Sequence, residues 1–136
     1  MRIRQLPLQG TFRLYATCDG RGDPELLTFL EGLGANMRKD RDRMLALLER
    51  VAEAGPPRNT EVSHKLDDDI WEFIQGRLRI CWFYDAGRVV ICTHGFIKKS
   101  QKTPAAEIRK AATRREAYLK ARADHTLKIE EDGHDE

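Results

Sequence analysis

The segment HGFIKKSQKTP, residues 94–104, carries most of the residue types that could act on a charged substrate. It places His94 and three lysines, Lys98, Lys99 and Lys102, directly after the apolar run VVICT. Histidine transfers protons near pH 7, and lysine contributes a point charge toward phosphate. Phe96, between them, is a side chain on which a base can stack. The segment therefore indicates a surface that binds a phosphodiester and could cleave it.

Two arginines and one glutamate upstream extend this set. Arg77 and Arg79 can each hold phosphate through a bidentate guanidinium, and Glu72 is a further candidate acid or base. If the hairpin loop near residues 86–87 has two or four residues, Arg79 lies directly opposite His94 on one face of a sheet. A loop of three or five residues would separate them. We favour the first register, because it places Trp82 opposite Ile91 on a wholly apolar face, and it predicts a solvent-accessible, cation-rich hollow with an exposed Phe96.

The elements that must position these residues follow from hydrophobic periodicity. Residues 70–75, 78–84 and 89–97 are rich in β-branched and aromatic residues and are separated by turn residues, which predicts an antiparallel meander. Residues 11–18 predict an earlier strand. Helices are predicted after Pro24, over 37–54 and from residue 104 to about 122. The pattern predicts an α+β fold, in which an N-terminal strand and a helical hairpin pack on a twisted antiparallel sheet, with a C-terminal helix.

Composition indicates one soluble domain with segregated charge. The 136 residues carry a net charge of +2, but residues 76–122 hold twelve Lys/Arg against three Asp/Glu, which attracts polyanions. We predict a single domain over residues 1–122 and an acidic, mobile tail over 123–136. No apolar run is long enough for a membrane helix, and no secretory signal precedes the first strand. Three cysteines without paired spacing predict reduced thiols and a cytoplasmic location.

Other chemistry has no support in the sequence. The four histidines lack metal-ligand spacing with cysteine or with each other, and no phosphate-binding glycine motif occurs. We therefore expect no metal and no cofactor.

Residues 68–104, DDIWEFIQGRLRICWFYDAGRVVICTHGFIKKSQKTP, resemble the phage-derived branch of HigB-like toxins. These belong to the RelE/ParE superfamily of type II toxin–antitoxin systems. The resemblance spans about residues 11–122, and its most specific part is HGFIKKSQKTP followed by an Ala/Arg-rich helix. Many relatives carry Trp-Glu-Leu-Arg where this chain has Trp71-Glu72-Phe73-Ile74, so Ile74 removes one potential phosphate ligand.

The resemblance implies a toxin that cuts mRNA on the ribosome without a metal, through attack of the RNA's own 2′-hydroxyl. It also implies a cognate helix-turn-helix antitoxin as partner. By position, Arg79 and Lys98 would stabilise the charge on the phosphorane, and His94 or Glu72 would serve as base or acid. Arg77, Lys99 and Lys102 would hold backbone phosphates, with Phe96 on the same RNA-binding surface.

Two alternatives come from the same fold. One is a non-catalytic ParE-like toxin that binds DNA gyrase, for which the Arg79 and His94 end would be dispensable. The other is an inactive, phage-derived RNA-binding relative.

Overall fold

A computed structural model describes residues 1–100 and 102–131. The fold is α+β, as predicted, and over these residues it comprises a sheet of seven strands and three α-helices. The strands are β1 (Arg2–Gln5), β2 (Arg13–Thr17), β3 (Ser63–Lys65), β4 (Trp71–Gln75), β5 (Leu78–Asp85), β6 (Val89–Ile97) and β7 (Lys128–Glu130). The helices are α1 (Glu25–Glu31), α2 (Arg38–Ala54) and α3 (Ala105–Ala123), with a 3-10 turn, Ala35–Met37, before α2.

The strand order is β3-β4-β5-β6-β2-β1-β7. The central meander β3 to β6 is antiparallel, as the turn residues predict. The β2–β6 and β1–β7 pairs are parallel, so the sheet is mixed rather than antiparallel throughout. The sequence analysis assigned no element to residues 2–5, 63–65 or 128–130, because three- and four-residue strands are too short to show a period of two. The predicted tail thus contributes β7 to the sheet edge, while residues 132–136 lie outside the described residues.

The sheet separates two hydrophobic cores. One face, with Leu78, Ile80 and Trp82, packs against α1 and α2. The opposite face, with Cys81 and Phe83, packs against α3 through residues that include Tyr118. Since side chains alternate along β5, the polar residue Arg79 shares the α3 face.

The hairpin between β5 and β6 has three residues, 86–88, and not the two or four that we favoured. Gly87 and Arg88 both have positive φ, and a left-handed residue at the end of the loop is typical of three-residue hairpins. Consequently Trp82 pairs with Cys92 instead of Ile91, and Arg79 pairs with Phe96 instead of His94. The predicted register is therefore wrong.

A bulge in β6 adds a second one-residue shift, which returns the residues beyond it to their predicted faces but not to their predicted partners. Trp82 pairs with Cys92 but Cys81 pairs with His94, so Thr93 is an extra residue between the two pairs. Beyond the bulge, His94 and Phe96 lie on the α3 face together with Arg79.

Candidate active site

Four strands bring four reactive side chains, two histidines, a glutamate and a cysteine, into one row across the sheet. His64 pairs with Glu72, Glu72 with Cys81, and Cys81 with His94. Directly paired residues point to the same side of a sheet, so all four side chains lie on the α3 face. The row joins two candidate residues from the sequence, Glu72 and His94, with His64, which the sequence analysis had not assigned.

Glu72 is a buried carboxylate with three polar neighbours. Its side chain is only 2% exposed. Oε1 accepts a 2.9 Å hydrogen bond from the Thr103 hydroxyl and lies 3.9 Å from Nε of Arg79. Oε2 lies 3.7 Å from Nδ1 of His64. Because a buried charge is costly without partners, these contacts explain how an ionisable group is retained at this position.

Arg79 donates hydrogen bonds to the backbone of the turn that precedes it in the chain. Its Nη1 donates to the carbonyl oxygens of Gly76 and Leu78, at 2.7 and 2.9 Å. Burial lowers the pKa of Arg79, and the nearby Glu72 carboxylate opposes that shift. Among the described residues, its buried Nε has no hydrogen-bond partner. Arginine remains charged in proteins, so the guanidinium retains capacity for a further anion.

The cations meet at an open cleft beside this arginine. Its volume is about 560 Å³, and its lining residues are Arg77, Arg79, Lys98, Lys99 and Ser100. The backbone N–H of Lys98 donates to the carbonyl of Arg77 at 2.8 Å, which extends the β5–β6 pairing past the end of β6. The structure therefore brings together four of the predicted cationic residues, from two neighbouring segments, in one concave surface.

His94 lies beneath α3 and does not line this cleft. Nδ1 is 3.0 Å from the Thr93 hydroxyl, Nε2 is 3.0 Å from Oε1 of Glu107 on α3, and the side chain is 3% exposed. Burial lowers the pKa of His94, while the hydrogen bond to Glu107 opposes that shift. The prediction of an accessible imidazole directly opposite Arg79 is wrong, because the β6 bulge and α3 together enclose the ring.

Two further predicted residues take different positions. Phe96 is buried in the core beneath α3. The prediction that its ring is exposed, where a base could stack on it, is therefore wrong. Lys102 is exposed beside Thr103 but is not one of the residues that line the cleft. Its contact with RNA stays a prediction.

The sequence analysis missed His64 and Thr103. His64 follows a polar connection in a three-residue strand, so no alternation marked it as part of the sheet. Thr103 was read only as the start of the last helix.

Within residues 1–100 and 102–131, no group of three or more His, Cys, Asp or Glu side chains is arranged to hold a metal ion. In the same part of the chain, none of the helices is both long enough and apolar enough to cross a membrane.

Comparison with known proteins places this site in a family. The family model described as "Phage derived protein Gp49-like (DUF891)" matches residues 31–116, more than half of the chain. The chain belongs to the Gp49-like family. The match covers α2, strands β3 to β6, the cationic cleft and α3 as far as residue 116. Gp49-like proteins are associated with RelE-like toxins, which agrees with the resemblance seen in the sequence. No curated protein matches the chain.

Proposed function

We propose that this Gp49-like protein is a HigB-like toxin of a type II toxin–antitoxin system that cleaves mRNA on the ribosome. The observation that carries the proposal is the cleft lined by Arg77, Arg79, Lys98 and Lys99, with the buried carboxylate of Glu72 next to Arg79. Cations that converge on a concave surface favour a polyanionic backbone, and a carboxylate nearby offers proton transfer.

The proposed reaction is an intramolecular attack of a 2′-hydroxyl on the neighbouring phosphate, for which no metal is required. Arg79 and Lys98 would stabilise the charge that develops on the phosphorane. Arg77 and Lys99, with Lys102 further along the segment, would hold flanking phosphates. His94, if it takes part as acid or base, requires α3 to separate from β6, because Glu107 and Thr93 occupy both of its ring nitrogens.

The partners in this proposal are mRNA, the ribosome and a cognate helix-turn-helix antitoxin, in the cytoplasm. An antitoxin would oppose toxicity by covering the cleft or by holding α3 against the sheet.

One observation favours the alternative of an inactive RNA-binding relative. His94 and Phe96 are buried, and Arg79 already donates to two backbone carbonyls. A protein in this state would bind RNA through the cleft without cutting it.

Transcript mapping separates the functions. The full-length protein would be induced briefly in cells, and selected transcripts would be mapped by primer extension. Discrete cuts within translated codons are expected for the wild type, and Lys98→Ala should reduce them by roughly 10²-fold, as the loss of a charge-stabilising donor does. Lys39→Ala, an exposed residue on α2, is the matched control. Intact transcripts with a DNA-damage response would instead support gyrase binding, and intact transcripts with retained RNA affinity would support the inactive relative.

A further inference from the structure

We propose that His64 is the general base of the cleavage reaction, and that Glu72 is the residue that positions its imidazole. This proposal rests on the proposed function and assigns a role to a residue that neither the sequence pattern nor the family match identifies.

The first step of the argument is access. The side chain of His64 is 53% exposed, and it lies on the same face and in the same cross-strand row as Glu72. In the described part of the chain, Nε2 of His64 has no hydrogen-bond partner, so this atom is available to a substrate hydroxyl. By contrast, His94 is 3% exposed and both of its ring nitrogens have partners. Of the two histidines in the row, only His64 can meet RNA without a rearrangement of α3.

The second step is orientation. Oε2 of Glu72 lies 3.7 Å from Nδ1 of His64, slightly beyond hydrogen-bond distance, while Oε1 accepts a 2.9 Å hydrogen bond from the Thr103 hydroxyl. The hydrogen bond from Thr103 fixes the carboxylate, and the fixed carboxylate favours the ring orientation in which Nε2 points away from it. When Nε2 takes a proton, the contact between Nδ1 and Oε2 becomes an ion pair.

The third step is the position relative to the phosphate. One carboxylate group separates His64 from the guanidinium of Arg79, since Oε1 of Glu72 lies 3.9 Å from Nε of Arg79. Arg79 lines the cleft together with Lys98. Arg79 therefore connects the cleft to the row that contains the exposed imidazole, with Glu72 between the two side chains.

The proposed step balances as follows. Nε2 of His64 takes the proton of the 2′-hydroxyl, and the 2′-oxygen forms a bond to phosphorus. The bond from phosphorus to the 5′-oxygen breaks, and its electron pair stays on that oxygen, which takes a proton from water. The hydroxide that remains removes the proton from His64 and restores the free base. The products are a 2′,3′-cyclic phosphate and a 5′-hydroxyl.

Chemical rescue tests this role. The full-length protein would be assayed on isolated ribosomes carrying a defined mRNA, with and without free imidazole in the buffer. His64→Ala should lower the cleavage rate by roughly 10²- to 10⁴-fold, and added imidazole should recover a large part of that loss. His94→Ala should not respond to imidazole, because α3 encloses that position. Lys65→Ala, a neighbour in β3 whose side chain points to the opposite face, should cleave at the wild-type rate.

The outcomes are separable. If the wild type cleaves no RNA, both the proposed function and the role of His64 are overturned. If the wild type cleaves and His64→Ala cleaves equally well, only the role of His64 is overturned. A slow His64→Ala variant that keeps the wild-type melting temperature but gains nothing from imidazole would also overturn it, since a missing base is replaceable and a missing structural contact is not. Rescue of His64→Ala alone supports the proposal.

Discussion

The hydroxyl of Thr103 donates a 2.9 Å hydrogen bond to the buried carboxylate of Glu72, and this bond ties the segment before α3 to the centre of the sheet. A second hydrogen bond joins Glu107, at the start of α3, to His94 in β6, and Glu107 follows Thr103 closely in the chain. The two contacts hold the N-terminal end of α3 over the row of reactive side chains. The position of α3 therefore determines how far those side chains are exposed to solvent.

Thr103→Val should destabilise the protein by about 1–3 kcal/mol, because it removes a hydrogen bond to a buried carboxylate and leaves that oxygen unsatisfied. Urea denaturation monitored by tryptophan fluorescence measures the change. Thr113→Val, at an exposed position on α3, is the control and should change the midpoint little. Equal midpoints for the two variants would show that the Thr103 contact carries no stability.

Glu107→Gln should lower the pKa of His94 further. Burial already places that pKa below its ordinary value of 6.5, and the bond to Glu107 is what opposes the shift. NMR titration of the imidazole nitrogens would report the change, with Glu116→Gln on the exposed side of α3 as the control. A rise in the pKa would contradict the arrangement.

The same histidine should make the folded state sensitive to mild acid. Its pKa is lower when folded than when unfolded, so the unfolded chain binds more protons between the two values, and stability falls as the pH drops through about 6.5. His94→Gln removes this contribution, so the loss of stability between pH 7.5 and pH 5.5 should be smaller for the variant. Denaturation midpoints at the two pH values provide the test, and an identical loss for both proteins would count against it.

Tyr118→Phe should destabilise the link between α3 and the β5–β6 hairpin by about 1.5–3 kcal/mol, the range for hydrogen bonds to charged groups. The Tyr118 hydroxyl donates to the carboxylate of Asp85, and burial together with Asp85 raises the pKa of Tyr118 to about 12. An ultraviolet titration should show that the variant has lost a phenol that ionises near pH 12. Tyr84→Phe, at an exposed ring, is the control for stability.

Lys98→Ala and Lys99→Ala should each weaken binding of single-stranded RNA and reduce its dependence on salt. Each phosphate contact that is lost lowers the slope of log K against log salt by about 0.7 for a single strand. Fluorescence anisotropy with a labelled RNA at several salt concentrations measures the slope. Lys120→Ala, which removes an exposed cation paired with Asp124, should leave it unchanged. A uniform loss across all three variants would indicate diffuse attraction rather than a defined cleft.

Much of the fold is predictable from short-range patterns. The three long strands and the helix over 38–54 fall close to the predicted residues, because each buries a face with clear periodicity. The short strands at residues 2–5, 63–65 and 128–130 are not predictable in this way, since three or four residues are too few to show a period of two. The parallel pairs, β2 with β6 and β1 with β7, are also not predictable from local patterns, since each joins strands that are far apart in the chain.

The site was predictable in its composition but not in its geometry. Arg77, Arg79, Lys98 and Lys99 do converge, since any register of the β5–β6 hairpin brings those two segments together. The pairing partner of His94, and the face of the sheet on which it lies, depended on one additional residue in the β5–β6 loop and one in the bulge of β6. Each insertion moves a side chain to the other face of a sheet, and neither leaves a mark on the hydrophobic pattern.

The sequence by itself determined which chemical groups this protein has near β5 and β6, because residue type and strand period are local properties. Only the tertiary structure decided which reactive groups are exposed to solvent. Helix α3 packs over His94 and encloses its ring. The pairing of β3 with β4 adds His64 to the same row and leaves its side chain exposed. Burial is set by contacts between segments far apart in the chain, and those contacts exist only once the chain has folded.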